Sequence, residues 1–345
     1  MEYKSCGFIH HGLEFRYTNQ VVVCPQVSHV GGGKLMLLEN FTEKTFDIDK
    51  LLQNRKQILD AVRNGLVFPN CLGCMDLKEM ECPKEEPKIK ILFFQHWTKC
   101  NSKCIYCYTA ENKKYYNSCK TYKILPLLKR MLKLDLLDKN GLVNFSGGEV
   151  TLLKEFAPTV KLLDKLNYYI IVNSSGVDYS STIGKYLKKG NGCLIISLVA
   201  GTKSVHEKIK GVKTYNRIWK NIRKYVKLQA QDHLVNIKYI IVPGYNDTEE
   251  EIDVFLQCCK DAGVKNVVLG IDVNYFEPHR DNIPERILNL FESTRIKAEK
   301  MGLSFYIANR ATTMLTKGKY ANEFWEKYRY DEGVYSNIYF EHNRI

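Results

Sequence analysis

From residue 89 onward, short apolar runs alternate with helix-length amphipathic segments, and this pattern narrows the possible folds further than any other feature of the chain. The runs at 89–95, 142–145, 168–173, 193–199, 235–242 and 266–271 are rich in Val, Ile, Leu and Phe. The segments at about 121–137, 152–166, 180–189, 214–229 and 248–262 carry apolar residues at helical spacing. A strand that is apolar throughout needs cover on both faces, and parallel strands need a long crossover between them. Right-handed strand–helix–strand units then predict an α/β fold with a parallel sheet. A helix at 284–301, a short strand at 303–308 and an aromatic tail complete the chain. In that tail Tyr320, Phe324, Trp325, Tyr328 and Tyr330 read as lid or packing residues.

Residues 1–88 lack this alternation. Leu13–Tyr17, a turn at 18–20 and Val21–Val23 read as a hairpin, and 48–64 as an amphipathic helix. Residues 81–88, with Pro83 and Pro87, read as a linker. The expected organisation is a module at 1–88, an α/β core at 89–275 and a C-terminal segment at 276–345.

Ligands of a parallel α/β sheet sit at the carboxyl ends of its strands. The unusual residues of this chain fall there. Cys100, Cys104, Tyr106 and Cys107 follow the first run, and Ser146-Gly147-Gly148-Glu149 the second. Asn173 closes the third run, Ser197 the fourth, and Val242-Pro243-Gly244 the fifth.

The chain has twelve cysteines, no apolar signal core at its start and no apolar run near the roughly 20 residues that span a bilayer. A cytoplasmic protein is expected, and there clustered cysteines bind metal or do chemistry more often than they form disulfides. Cys100-x3-Cys104-x2-Cys107 is one cluster; Cys71-x2-Cys74, with Cys82 beyond and Cys6 and Cys24 upstream, is a looser one. Cys119, Cys193, Cys258 and Cys259 read as buried small apolar residues. Cys193 or Cys119 is the candidate if a pocket thiol donates a hydrogen atom. His10 and His11 read as exposed loop residues, and Gly31-Gly32-Gly33-Lys34 as a flexible turn.

The net charge of +13 is unevenly spread. Residues 1–90 hold 12 basic and 12 acidic side chains, residues 91–245 hold 26 and 9, and residues 246–345 hold 13 and 17. In the densest run, 203–227, nine Lys and Arg face only Glu207. This reads as a solvated helix face or as attraction for an anionic partner. It carries no groove-reading motif, so nucleic acid is not favoured.

The cysteine triplet after the first strand, with Tyr106 before its last cysteine and Gly-Gly-Glu after the second strand, resembles the radical S-adenosylmethionine (radical SAM) superfamily. The resemblance covers residues 90 to about 275. It departs at Val150, where the family often has proline, and at Val199, where aspartate is common. It implies a partial (β/α)6 TIM-like barrel and a 4Fe-4S cluster on Cys100, Cys104 and Cys107. Thiolates are the usual ligands of such clusters, and three leave one iron open for S-adenosylmethionine. The resemblance places Gly147 and Gly148 against the methionyl group and Glu149 on its ammonium. Ser146, Asn173 and Ser197 become polar contacts, and Tyr106, Ile240, Val242 and Pro243 line the cofactor. The alternative for the triplet is a zinc knuckle that recruits Cys119 or His96 as a fourth ligand.

Residues 6–82 resemble a SPASM or twitch auxiliary module moved to the N-terminus. Cys6 leads, a hairpin ends in Cys24, and a helix precedes Cys71-x2-Cys74. The resemblance implies a second 4Fe-4S cluster on Cys6, Cys24, Cys71 and Cys74, with Cys82 a further ligand or a spare. Structural zinc is the rival occupant. The implied function is reductive cleavage of S-adenosylmethionine to a 5′-deoxyadenosyl radical, in an oxygen-sensitive enzyme served by a flavodoxin- or ferredoxin-like reductase. The substrate is a peptide or protein, or an anionic small molecule such as a nucleotide sugar. An RNA-modifying enzyme and a non-catalytic iron–sulfur protein are the other readings.

Overall fold

The computed structural model describes residues 2–25, 35–72, 74, 76–81, 86–107, 122–276, 283–308 and 327–330. Cys82, Cys119, residues 31–34 and the aromatic residues Tyr320, Phe324 and Trp325 lie outside the described residues. The chain forms two compact units, one of residues 1–99 and 113–170, the other of residues 100–112 and 171–345.

The first unit holds β1 (Glu2–Ser5), α1 (Gly7–His11), β2 (Gly12–Arg16), β3 (Val21–Val22), β4 (Met36–Leu38) and α2 (Ile48–Arg63). It continues with β5 (Lys78–Glu81), β6 (Ile89–Gln95), α3 (Ile124–Lys133), β7 (Leu137–Phe145) and α4 (Phe156–Lys165). β8 (Tyr169–Ser174) crosses from this unit into the next. The second unit holds α5 (Ser181–Lys189), β9 (Gly192–Ser197), α6 (Lys203–Lys210), α7 (Tyr215–Leu228), β10 (Val235–Ile241) and α8 (Glu249–Asp261). β11 (Asn266–Ile271), α9 (Glu285–Lys300), β12 (Ser304–Ala308) and β13 (Arg329–Tyr330) follow.

The hydrogen-bonded strand order is β13-β12-β11-β10-β9-β8-β7-β6-β2-β3-β4, an open sheet of 11 strands. Its pairings from β2 through β6 to β7, and from β9 through to β13, are parallel, while β3 and β4 run antiparallel. The fold is therefore α/β with a mostly parallel sheet, of the TIM-like partial-barrel type and not a closed barrel. The six expected parallel strands are present as β6 to β11.

The N-terminal residues do more than form a hairpin. β2 pairs in parallel with β6, setting Phe15 opposite Phe94, and Phe94 opposite Phe145 on β7. These rings pack at 5.8 and 5.2 Å, and Phe156 of α4 meets Phe145 edge-on at 5.1 Å. One aromatic row thus crosses three strands under a helix. Hydrophobic burial joins residues 12–16 to the core strands, although they are 75 or more positions apart in sequence. Glu81, expected in a linker, instead pairs with Glu2 in the separate β1–β5 ribbon.

Candidate functional site

The cysteine loop belongs to the second unit. Three backbone hydrogen bonds fix it. Lys103 N–H donates to Lys210 O (2.8 Å), Ile105 N–H to Ile209 O (3.0 Å), and Cys107 N–H to Cys104 O (3.2 Å). The end of α6 thus offers its free carbonyls to the loop, a standard outlet for the unpaired end of a helix. Sequence reasoning missed α6, yet its boundary signals were present: Thr202 caps the N-terminus through Val205 N–H, and Gly211 at φ +65° ends it. Asn101 donates to Asp178 (2.8 Å) and accepts from Ser175 (3.0 Å), and Arg217 pairs with Asp178 at 2.5 Å. Asn274 donates to Tyr106 O at 3.1 Å. Cys100 is exposed, and Cys104 and Cys107 are half-buried.

Lys210 is the buried cation of this loop. Its ammonium donates to the Tyr106 hydroxyl at 3.1 Å and lies 5.6 Å from the ring centre. Burial disfavours its charge, but Tyr106, Cys104 and Cys100 outweigh that and hold it above the usual lysine range. Burial pushes the Tyr106 phenol up. The other basic residues of the 203–227 run are exposed. They form the solvated face that the sequence suggested; Lys210 is the exception.

The glycine–glutamate turn belongs to the first unit. Ser146 N–H donates to Phe94 O (3.0 Å), Gly148 N–H to Trp97 O (3.1 Å) and Glu149 N–H to Lys99 O (2.8 Å). Gly147 holds φ +106°, and a Cβ on Gly148 would lie 2.3 Å from Lys99 O. Both glycines therefore serve a close approach to residues 97–99, which lead directly into Cys100. Buried Glu149 accepts from Thr151 N–H at 3.1 Å and from its hydroxyl at 2.8 Å, starting a short helical turn.

At the far ends of β9 and β10, Asn246 does what sequence reasoning did not foresee. Fully buried, it donates to Val199 O (2.6 Å) and Ile240 O (2.8 Å) and accepts from Val242 N–H (2.6 Å). Val242 packs with Val199 and Ile209 in a small apolar cluster that Tyr106 and Ile240 abut. This apolar setting accounts for Val199 where the family has aspartate. Tyr239 packs on Phe255 of α8 at 4.7 Å, so Lys238 and Ile240 face the opposite side of β10, and Ser197 pairs in register with Lys238. Ser197 and Asn173 are both half-buried. We expect Asn246→Ala to cost roughly 3 kcal/mol, because two carbonyls and one N–H lose their partner in a dry site. A lower urea midpoint at unchanged m value checks this.

In the first unit, Cys6, Cys71 and Cys74 are electrostatic neighbours, and burial pushes the Cys6 thiol up to about 12. Cys74 N–H donates to Cys71 O at 3.0 Å, the same turn that links Cys104 and Cys107. Cys24 is buried at the end of the hairpin. Among the described residues no three His, Cys, Asp or Glu side chains are gathered closely enough to hold a metal ion. The donor chemistry of the 100–107 loop nevertheless fits an iron–sulfur cluster: three thiols on one braced loop, two of them beside a buried ammonium that forms no ion pair with a described carboxylate.

Two expectations are corrected. His10 and His11 are not exposed loop residues: both lie in α1. His10 is buried and bonds Tyr3 (2.9 Å) and Ser5 (3.0 Å), and His11 donates to Lys88 O at 2.8 Å. His96 is buried, with its Nε2 on Glu155 at 3.3 Å. Cys193 sits at the amino end of β9, away from the ligand-binding ends of the strands, which removes it as a hydrogen-atom donor.

Residues 94–259 match the Radical SAM superfamily. An uncharacterised protein of Methanocaldococcus jannaschii is 26% identical over 204 residues, 57% of this chain and 60% of that protein. GTP 3′,8-cyclase of Clostridium botulinum is 25% identical over 181 residues, 51% of this chain and 54% of the cyclase. The match thus spans little more than half the length of these relatives. Streptococcus suis SuiB bound to S-adenosylmethionine superposes with a TM-score of 0.52 at 13% identity, covering 84% of this chain and 62% of SuiB. SuiB bound to its precursor peptide SuiA superposes with a TM-score of 0.50 at 15% identity, covering 79% and 57%. At these identities the likeness is one of fold. No described helix is long and apolar enough to cross a membrane.

Proposed function

We propose that this chain is a radical SAM enzyme whose cleavage centre is the loop of Cys100, Cys104 and Cys107. The observation that carries the reading is the placement of this thiol triplet just after β6, on a loop braced by α6, within the matched stretch 94–259. When bound there, a 4Fe-4S cluster supplies one electron that divides S-adenosylmethionine into methionine and a 5′-deoxyadenosyl radical. The chain's own residues bind and orient. Cys100, Cys104 and Cys107 provide thiolates. The turn at Gly147, Gly148 and Glu149 fixes the backbone of residues 97–99 that enters the loop. Asn173 and Ser197 offer polar contacts, and Tyr106 and Val242 share one apolar cluster that excludes water from the adenosyl group. A flavodoxin- or ferredoxin-like reductase supplies the electron.

The substrate in this reading is a peptide or protein, or an anionic small molecule. SuiB's complex with a precursor peptide supports the first, as a likeness of fold. The excess of basic over acidic side chains in residues 91–245, 26 against 9, supports an anionic group on either kind of substrate. Cys6, Cys24, Cys71 and Cys74 hold an auxiliary cluster, for which the proximity of Cys6, Cys71 and Cys74 is the support. Anaerobic reconstitution tests both centres. About eight irons per chain, four for each cluster, is the expected count. About four irons with zinc present overturns the auxiliary cluster, and none overturns the enzyme.

A further inference from the structure

The basic run at 203–227 contains one lysine that the solvated-face reading leaves unexplained. Lys210 is 3% exposed, on the last turn of an eight-residue helix. A buried ammonium costs several kcal/mol in lost hydration unless an anion compensates it. Among the described residues Lys210 forms no ion pair with a carboxylate; its hydrogen bond goes to the Tyr106 hydroxyl. Cys104 and Cys100 lie within electrostatic reach of the same ammonium. The same helix end holds the loop by its backbone, through Lys103 and Ile105. A buried cation beside the thiols of this loop, held to it by a side-chain and by backbone hydrogen bonds, is arranged for a site that becomes anionic.

We propose that Lys210 is the counter-cation of the cysteine loop: a positioning residue that, held by Tyr106, raises the reduction potential of the cluster bound by Cys100, Cys104 and Cys107. The inference rests on the cluster-binding reading given above. Three thiolates make the loaded site negative, and the electron accepted from an external donor adds one more negative charge. A fixed ammonium in a water-poor setting favours the reduced state more than the oxidised one. Lys210 touches neither S-adenosylmethionine nor substrate in this account; it acts on the ease of reduction.

The test is a redox titration with dithionite, monitored by electron paramagnetic resonance, on the reconstituted wild type and on Lys210→Met, Lys210→Arg and Tyr106→Phe. Lys210→Met keeps the length and removes the charge. It should bind the same iron and be at least tenfold harder to reduce, a shift of about 59 mV to lower potential for a one-electron couple. Lys210→Arg should restore most of the shift. Tyr106→Phe, which keeps the ring and removes the hydroxyl that holds the ammonium in place, should move the potential in the same direction by less. If Lys210→Met does not fold, Tyr106→Phe carries the test. A fully loaded Lys210→Met or Tyr106→Phe at the wild-type potential overturns the proposal. A wild type that takes up no iron overturns the cluster-binding reading instead, which separates the two failures.

Discussion

Exchange of Cys104 for alanine is expected to reduce the iron held at residues 100–107 to background while leaving the fold intact. The thiol is half-buried on a loop that is held by backbone hydrogen bonds, not by its side chain. Removing it therefore deletes a ligand and little packing. Far-ultraviolet circular dichroism and the melting temperature should stay close to wild type, while iron and sulfide fall by the content of one cluster. Cys100→Ala and Cys107→Ala should do the same. A structural zinc knuckle predicts a different result: losing a zinc ligand would unfold the loop and lower the melting temperature. Full iron retention in all three variants would remove the loop as a cluster site.

Alanine at position 148 should be the most destabilising conservative change in the glycine–glutamate turn. The added Cβ would meet Lys99 O at 2.3 Å, the Thr98 carbonyl carbon at 2.9 Å and a Trp97 ring carbon at 2.9 Å. Two of these are backbone atoms and cannot swing aside, so the two segments must part. Overpacking of this kind costs about 1–3 kcal/mol. Gly244→Ala is the matched control. Gly244 also has positive φ (+79°), but nothing lies within 4 Å of its would-be Cβ. That variant carries only the conformational cost, about 1 kcal/mol. Thermal melts of the two variants separate steric conflict from backbone strain. Because residues 97–99 run straight into Cys100, Gly148→Ala should also lose iron on reconstitution, whereas Gly244→Ala should not.

These expectations show which parts of the molecule could be read from sequence. β6 to β11 were legible because each is a continuous apolar run flanked by helix-length segments. The positions of Cys100, Gly148, Asn173 and Ser197 followed from where those runs end. Non-local pairing was not legible: nothing in residues 12–16 announces that they will lie beside 91–95, because that choice is made by the aromatic row of Phe15, Phe94 and Phe145. The eight-residue helix α6 was hidden by its charge. Its Thr202 and Gly211 caps were visible, but a lysine-rich segment reads as surface until Lys210 is seen to turn inward. Nothing in the sequence singled out Asn246, and only the structure gives it three backbone partners across β9 and β10. His10 misled for the opposite reason: a polar pair beside Cys6 reads as exposed loop, whereas His10 is buried in α1 and bonds Tyr3. The role of glycine in the Gly147-Gly148 turn was read as room for a ligand, and the contact it first requires is with the chain's own Lys99 carbonyl.

Reductive cleavage of S-adenosylmethionine at the 100–107 loop, as proposed above, has a diffusible product. The most direct measurement is chromatographic quantification of 5′-deoxyadenosine from anaerobically reconstituted, dithionite-reduced protein incubated with S-adenosylmethionine, with Cys104→Ala alongside. The wild type is expected to give 5′-deoxyadenosine and methionine in equal amounts, and the variant neither. Iron-replete wild-type protein that yields no 5′-deoxyadenosine under these conditions would contradict the proposed cleavage.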